Sequence, residues 1–360
     1  MEAIILKCAP NARFHFGITA PDNDTALSDS SPFFHSDTLF SALVITCSKV
    51  FPRKVSVLID YFKNGELRIS SGNYCVDITE KKQWQKRLYF LPRPSHFRLR
   101  GKHHADRKQI NKVQYISKTI WELGIPPEVW FEDGGSCYQI ENKQFLLHES
   151  DLPREKGKLV KSFFEEQTAP KIADHARKKE GNIYFQTDIH LRTTKIGTLT
   201  LQPHFYFLVD FGEEDENIRN LVHFLIGVLV DEGIGGAIST GCGKIEDVER
   251  INDWKLAIVP SDQHEVQKVS NALIAFGEKE AFSKVHLGEI ITRGGRTVYV
   301  DQDKAEDKAI KCQRVKMVRE GALITNAIQG TIPTLFDEPP FHILRYGKAF
   351  PLAIPKNYGI

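Results

Sequence analysis

No run of this 360-residue chain approaches the roughly 18 consecutive apolar residues that a membrane-spanning helix needs, so no membrane span is expected. The opening stretch Met1 to Cys8 has neither a basic leader nor a small-residue cleavage site. It does not read as a secretion signal, and the protein is expected to stay where it is made. Cysteine is sparse and scattered. Cys8, Cys47, Cys75, Cys137, Cys242 and Cys312 form no CxxC pair, which argues against a zinc site or a disulfide framework and predicts reduced, mostly buried thiols. His103 and His104 stand side by side without a cysteine or carboxylate cluster to complete a tetrahedral ligand set, so no metal or other cofactor is expected. Net charge is small as well, at +2, too little by itself to announce a nucleic-acid ligand.

What is present is a globular composition, with 41% apolar and 26% charged residues, enough to bury real cores. At this length two domains are expected. Charge is unevenly spread. Between Lys81 and Lys118 about a dozen Lys and Arg face the lone Asp106, whereas Glu213 to Glu216 and Asp301 to Asp307 are acidic, so one surface should be basic.

Ala3 to Cys8 reads as a strand. From Phe33 to Val50, Leu39, Leu43 and Cys47 recur at helical spacing and predict a helix to about Lys49, with Ser36 as N-cap and Asp37 favourable at its positive end. Val55 to Val76 alternates around Asn64-Gly65 and predicts a hairpin. Phe205 to Phe211 predicts a strand, and Asp215 opens a helix whose Ile218, Leu221, Val222, Leu225 and Leu229 share one stripe. Lys244 to Val248 would be the returning strand. Past a boundary near Asn252, Trp254 to Val259 reads as a strand, Val266 to Phe276 as a helix, and the runs near Val298, Val315 and Ile343 as strands. The expected fold is α+β: two ferredoxin-like (RRM-like) domains, residues 1–251 and 252–360, the first with insertions roughly between residues 80 and 200. In that layout helices cover one sheet face and leave the other available.

The strongest local anomaly is Asp231-Glu232-Gly233-Ile234-Gly235-Gly236-Ala237-Ile238-Ser239-Thr240-Gly241-Cys242-Gly243-Lys244, five glycines directly after a helix. Glycine permits positive φ and lets backbone press against a neighbour, and its entropic cost must be offset by some close approach. A helix cap and bulged turn would explain one or two of these glycines. A Walker-type loop is excluded, because the lysine is not followed by Ser or Thr and the glycines follow a helix, not a strand.

Glycine-rich loops between the second helix and last strand of a ferredoxin-like domain are typical of the repeat-associated RNA-binding proteins of CRISPR systems, and this sequence resembles that superfamily. Phe16-Gly17 and His35-Ser36-Asp37-Thr38-Leu39-Phe40-Ser41-Ala42 look like the amino-terminal signature of the Csm-type, or type III-A, subunit that holds the guide-RNA 5′ tag. Gly233 to Lys244, Val318-Arg319-Glu320-Gly321-Ala322 and His342-Ile343-Leu344-Arg345-Tyr346-Gly347-Lys348-Ala349-Phe350 agree with it. Family members often carry a serine after the Glu-Gly and an Arg-containing middle motif. Here Ala322 and Pro170-Lys171-Ile172-Ala173-Asp174-His175-Ala176-Arg177 stand instead. The resemblance implies a cytoplasmic prokaryotic, non-catalytic subunit that binds the crRNA 5′ tag. It further implies a hairpin or thumb inserted in the first domain, contact with an adjacent backbone subunit and with the large signalling subunit of the Csm complex, and no membrane.

Candidate RNA contacts follow from chemistry that neutralises phosphate and stacks bases. Arg93, Arg98, Lys102, Lys108 and Lys112 lie among Tyr89, Phe90, Phe97 and Tyr115. Lys171, His175 and Arg177 form a second cluster. In the loop Gly233, Gly235, Gly236, Ser239, Thr240, Gly241, Gly243 and Lys244 supply donors, and Arg293, Arg296, Arg345 and Tyr346 extend the surface. The alternatives are a solvated loop with anchoring aromatics and, for Arg345, a structural salt bridge. His35 and Ser36 are RNA-contact candidates in the octapeptide. His35 also carries the rival reading, a general base in a metal-independent repeat endoribonuclease, and a third reading is a general single-stranded RNA-binding module.

Overall fold

The computed structural model of the chain describes residues 1–18, 28–95, 108–173, 182–212, 215–258, 268–276, 285–301, 306–325, 328–338 and 341–355. The protein is α+β, a large mixed sheet with few helices. The strand Glu2–Lys7 lies between Asp247–Ile251 and Leu199–Phe211, and Leu199–Phe211 pairs in turn with Asn73–Glu80, every pairing antiparallel. Numbered along the chain, these four strands are ordered 4-1-3-2, with the helices Ser36–Val50 and Glu216–Glu232 on the two crossovers. Alternation divides the first strand cleanly. Ile4 and Leu6 face the helices, whereas Ala3 and Ile5 join a second core on the far side. The helix Glu216–Glu232 is opened by Asp215, whose side chain accepts the N–H groups of Asn217 and Ile218. Its whole expected stripe is buried, each large aliphatic side chain contributing about 1.5–3 kcal/mol.

Beyond Glu80 the sheet is extended by Gln83–Pro92, Tyr115–Ser117, Phe145–His148 and Cys137–Gln139. The insertion then projects a hairpin, Phe164–Ala173 with Asn182–Leu191, whose base pairs with Arg13–Phe14. In the second half Lys268–Ser270, Val285–Leu287, Leu323–Ile324 and Pro351–Ala353 form a small antiparallel sheet in the same 4-1-3-2 order. A long hairpin, Ile290–Asp301 with Glu306–Val318, is inserted between its second and third strands.

Several expectations are corrected. Val55 to Asn64 is a helix, not a hairpin arm: Leu58 and Phe62, four apart, are fully buried, and Gly65 caps it at φ 78 with its N–H on Phe62 O. The first helix begins at Ser36, so the N-cap is His35, and the Ser36 hydroxyl accepts from Leu273 N at 3.2 Å instead of capping. The returning strand starts three residues late, at Asp247. Residues 254–258 form no strand. Within 268–276 there are two short strands and no helix, because Val269 pairs with Leu323 and Leu352. The far sheet face is not left open either. Trp254, 4% exposed, packs on Tyr89 and Tyr206, and Val269, Leu323 and Leu352 complete the cover. All six cysteines are buried and unpaired, as expected. Among the described residues no helix is long and apolar enough to cross a membrane.

Candidate nucleic-acid interface

The glycine-rich loop is built against the start of the chain. Gly233 ends the helix at φ 90, its N–H on Leu229 O. Ile234 N donates to Gly243 O and closes the neck. Gly243 N then donates to Arg13 O and Gly236 N to His15 O, at 2.7 and 2.8 Å. A Cβ on Gly235, at φ 98, would stand 2.7 Å from His15 O. Gly235 and Gly236 thus press on the protein's own His15 and Phe16, while Gly233 and Gly243 press on the loop's own neck, where a Cβ would stand 2.9 Å from Gly243 O and 2.5 Å from Ile234 O respectively. What the bracing presents to solvent is the tip, with Ser239, Thr240, Gly241 and Lys244 all exposed. Arg13 Nη2 donates to Thr240 O at 2.9 Å.

Beside the loop lies a cleft of about 320 Å³ walled by His15, Gly235, Gly236, Asp37, Thr38, Ser41, Arg293 and Arg345 among others. Three sequence motifs more than a hundred residues apart meet here. Asp37 accepts a bidentate pair from Arg293, at 2.9 and 3.0 Å, and a third bond from Arg345 Nη1 at 2.5 Å. Burial pushes the Asp37 carboxyl up, but the two guanidiniums outweigh it and hold the group well below the usual carboxylate range. Two guanidiniums against one carboxylate leave a net positive charge at the N-terminal end of the first helix, where the backbone dipole adds to it. Arg345 Nε is buried without a partner among the described residues. The cleft suits an anion.

The remaining candidates divide by exposure. His35 is 5% exposed, and its Nδ1 lies 2.8 Å from Glu320 Oε1, an oxygen that also accepts from Ser71. Ser36 is fully buried. The Tyr346 hydroxyl accepts from Ile69 N, with its ring against Phe40 and Phe62. These three brace one half of the chain on the other, and all three are buried. Arg93 is largely buried, its Nε on Val113 O. Phe90 and Tyr115 are core residues at 0% and 3% exposure and do not stack bases from the surface. Lys108 and Lys112 are exposed. Lys171 stands on the hairpin, near Ile172, Ile183 and Phe185, which are 71%, 70% and 59% exposed. Arg98, Lys102, Phe97, His103, His104, His175 and Arg177 lie outside the described residues, as does the side chain of Arg296. Arg13 and His15 were not legible as site residues, since neither belongs to a charge cluster. Asp37 was, but only as a helix-dipole residue.

A β–α–β–β–α–β sheet thus carries a braced glycine-rich loop before its last strand and a cationic cleft beside it. No family model matches the chain. A CRISPR system protein named Csm4 from Methanocaldococcus jannaschii is 28% identical over 359 residues, 92% of this chain and 88% of the relative. A crystal structure of a Csm3-Csm4 subcomplex of the type III-A CRISPR-Cas interference complex matches with TM-score 0.62 at 21% identity, covering 98% of this chain and 99% of the other. A Csm1-Csm4 cassette in complex with pppApA matches with TM-score 0.52 at 15% identity, covering 98% of each chain. The chain is similar over nearly its whole length to CRISPR proteins named Csm4.

Proposed function

We propose that this protein is the non-catalytic RNA-binding subunit of a type III-A CRISPR effector complex. In this reading it holds the repeat-derived 5′ tag of crRNA and caps the backbone in the prokaryotic cytoplasm, between a Csm3-type backbone subunit and a Csm1-type large signalling subunit. The observation that carries the reading is the convergence of the octapeptide, the glycine-rich loop and the carboxyl-terminal arginines on one positively charged cleft. Phosphate would be met by Arg345, Arg293 and Lys244, with Ser239, Thr240 and Gly241 donating from the tip. Lys108, Lys112 and Lys171 extend the cationic path. The exposed Ile172, Ile183 and Phe185 of the hairpin suit a wedge that splays neighbouring bases. The two sheets of identical 4-1-3-2 order, each interrupted between its second and third strands, support a pair of ferredoxin-like domains divided near Asn252. His35 is buried and hydrogen-bonded to Glu320, which favours a bracing role over general-base chemistry. Sequencing of RNA that copurifies with the chain should show enrichment of repeat-derived 5′ ends, and a flat distribution of RNA ends would defeat the tag assignment. Incubation of the protein with repeat RNA in EDTA should leave the RNA intact, and site-specific cutting lost in His35→Ala would establish the enzyme instead.

A further inference from the structure

The turn joining Asn73–Glu80 to Gln83–Pro92 breaks a local rule. Lys81 and Lys82 hold φ 48 and φ 70. Both positions of such a two-residue turn ordinarily go to Asn and Gly, because a Cβ in the left-handed region crowds the backbone. Nothing inside the molecule offsets that strain. Lys81 N donates to Thr198 O at 3.2 Å, a bond that any residue but proline would make. Both lysine side chains are exposed, and neither has a hydrogen-bond or ion-pair partner among the described residues. Strain held beneath exposed side chains points to what those side chains reach outside the chain.

Two residues on, Trp84 is 63% exposed, and its ring meets no other aromatic among the described residues. It ends a row that crosses four strands: Lys195 pairs with Thr200, Thr200 with Thr79, and Thr79 with Trp84. At one strand spacing per step the row is about 14 Å long. The alternating positions Ile78, Leu199 and Leu201 belong to the first core, so the row faces the opposite side of the sheet. Lys195 is exposed at one end of it, and Lys81 and Lys82 stand at the other beside the tryptophan. Glu80, the carboxylate at the start of the turn, is taken up by Thr198 Oγ1 at 2.6 Å. The result is a large apolar ring framed by three ammoniums.

We propose that this row is a protein-docking surface whose occupant is an acidic segment of a partner subunit, with one apolar side chain set on Trp84 and carboxylates meeting Lys81, Lys82 and Lys195. Tryptophan is enriched among the anchors of protein interfaces, and the unmatched ammoniums supply the complementary charge. RNA fits the row less well. A single-strand platform stacks successive bases on successive aromatics, and this row holds one. Beside it stands the balanced cluster of Lys7, Asp77, Arg87 and Glu249, which offers phosphate no surplus charge. For the identity of the partner this rests on the complex reading above, but its geometry is independent of that reading.

The test compares the full-length chain with Trp84→Ala and with Lys81→Asn/Lys82→Gly, which installs the preferred turn pair and removes both ammoniums. Each is titrated by biolayer interferometry against the purified cognate Csm1-type and Csm3-type subunits. A labelled peptide of alternating Glu and Leu, and labelled repeat RNA, are titrated by fluorescence anisotropy. The expected result is that at least one subunit binds, about thirtyfold more weakly to Trp84→Ala and about fivefold more weakly to the double variant, with RNA affinity unchanged. The double variant should melt at or above the wild-type temperature, because the strain of the turn has been relieved. If the peptide binds and depends on Trp84 while neither subunit binds, the docking surface stands and the complex reading fails. If a subunit binds with an affinity that neither variant changes, the docking proposal is overturned and the complex reading survives. If the variants weaken RNA instead, the surface belongs to nucleic acid and the docking proposal is overturned. Absence of binding by subunits and peptide alike overturns both.

Discussion

Two charge clusters on this molecule differ in one respect that separates scaffold from site. On the far face of the first sheet, Lys7 and Arg87 face Asp77 and Glu249, with His204 Nε2 3.4 Å from Asp77. His204 Nδ1 accepts from Cys8 N, so a neutral ring satisfies both partners. Cations match anions and nothing is left over. In the cleft Asp37 faces Arg293 and Arg345, and one positive charge is unmatched beside a helix N-terminus and a braced loop. A run of basic residues therefore says little until its partners are known. Arg87 belongs to the most basic stretch of the chain and is fully paired, whereas Arg345 stands almost alone in sequence and carries the surplus.

The comparison can be broken in several ways, beginning with the largest effect. Asp37→Asn should lower stability by about 3–5 kcal/mol, because it strands two buried guanidiniums. The folded carboxyl is held below its ordinary value, so its contribution is complete above about pH 4 and is lost only as pH falls through the lower folded value. Denaturant titrations should show a constant gap between wild type and variant from about pH 8 to about pH 5, narrowing in strong acid. A gap that closes already near neutrality would assign the stability elsewhere. Gly235→Ala should cost about 1–2 kcal/mol, since it places a Cβ at positive φ against His15 O. Thermal melts read this directly, and a neutral result would mean that the loop is not braced as described. Arg345→Met should weaken repeat-RNA binding by about tenfold, whereas the paired replacement Arg87→Met with Asp77→Leu should leave affinity unchanged. Equal losses in the two would erase the distinction between the clusters. Lys244→Ala should reduce affinity by about threefold and flatten the dependence of log K on log salt by about one unit, with no change in melting temperature.

Much of the first sheet and its helices was legible because their signals are local. Asp215 announces its helix with a side chain that caps it, and the stripe from Ile218 to Leu229 is buried as spaced. The failures have physical reasons. Val55, Val57, Ile59 and Tyr61 alternate like a strand, but Leu58 and Phe62 decide the fold by packing under the first helix, and Asn64-Gly65 serves as a helix end. Val269 and Leu273 are four apart like a helix, yet Val269 pairs with strands more than fifty residues away. The site was legible as motifs but not as contacts. Asp37 reads as a helix-dipole residue until the fold brings Arg293 and Arg345 to it across 256 and 308 residues. The glycines read as a ligand cradle until His15, Phe16 and the loop's own neck are seen to take up most of their close approaches.

The most direct measurement is photocross-linking of repeat-derived RNA to the full chain, followed by mass spectrometry of the linked peptides. The account predicts links on the peptides carrying Ser239 to Lys244 and Arg345, lost at high salt, and none on the Lys7 and Arg87 face. Links confined to that balanced face, with the loop and the carboxyl-terminal arginines unmarked, would contradict it.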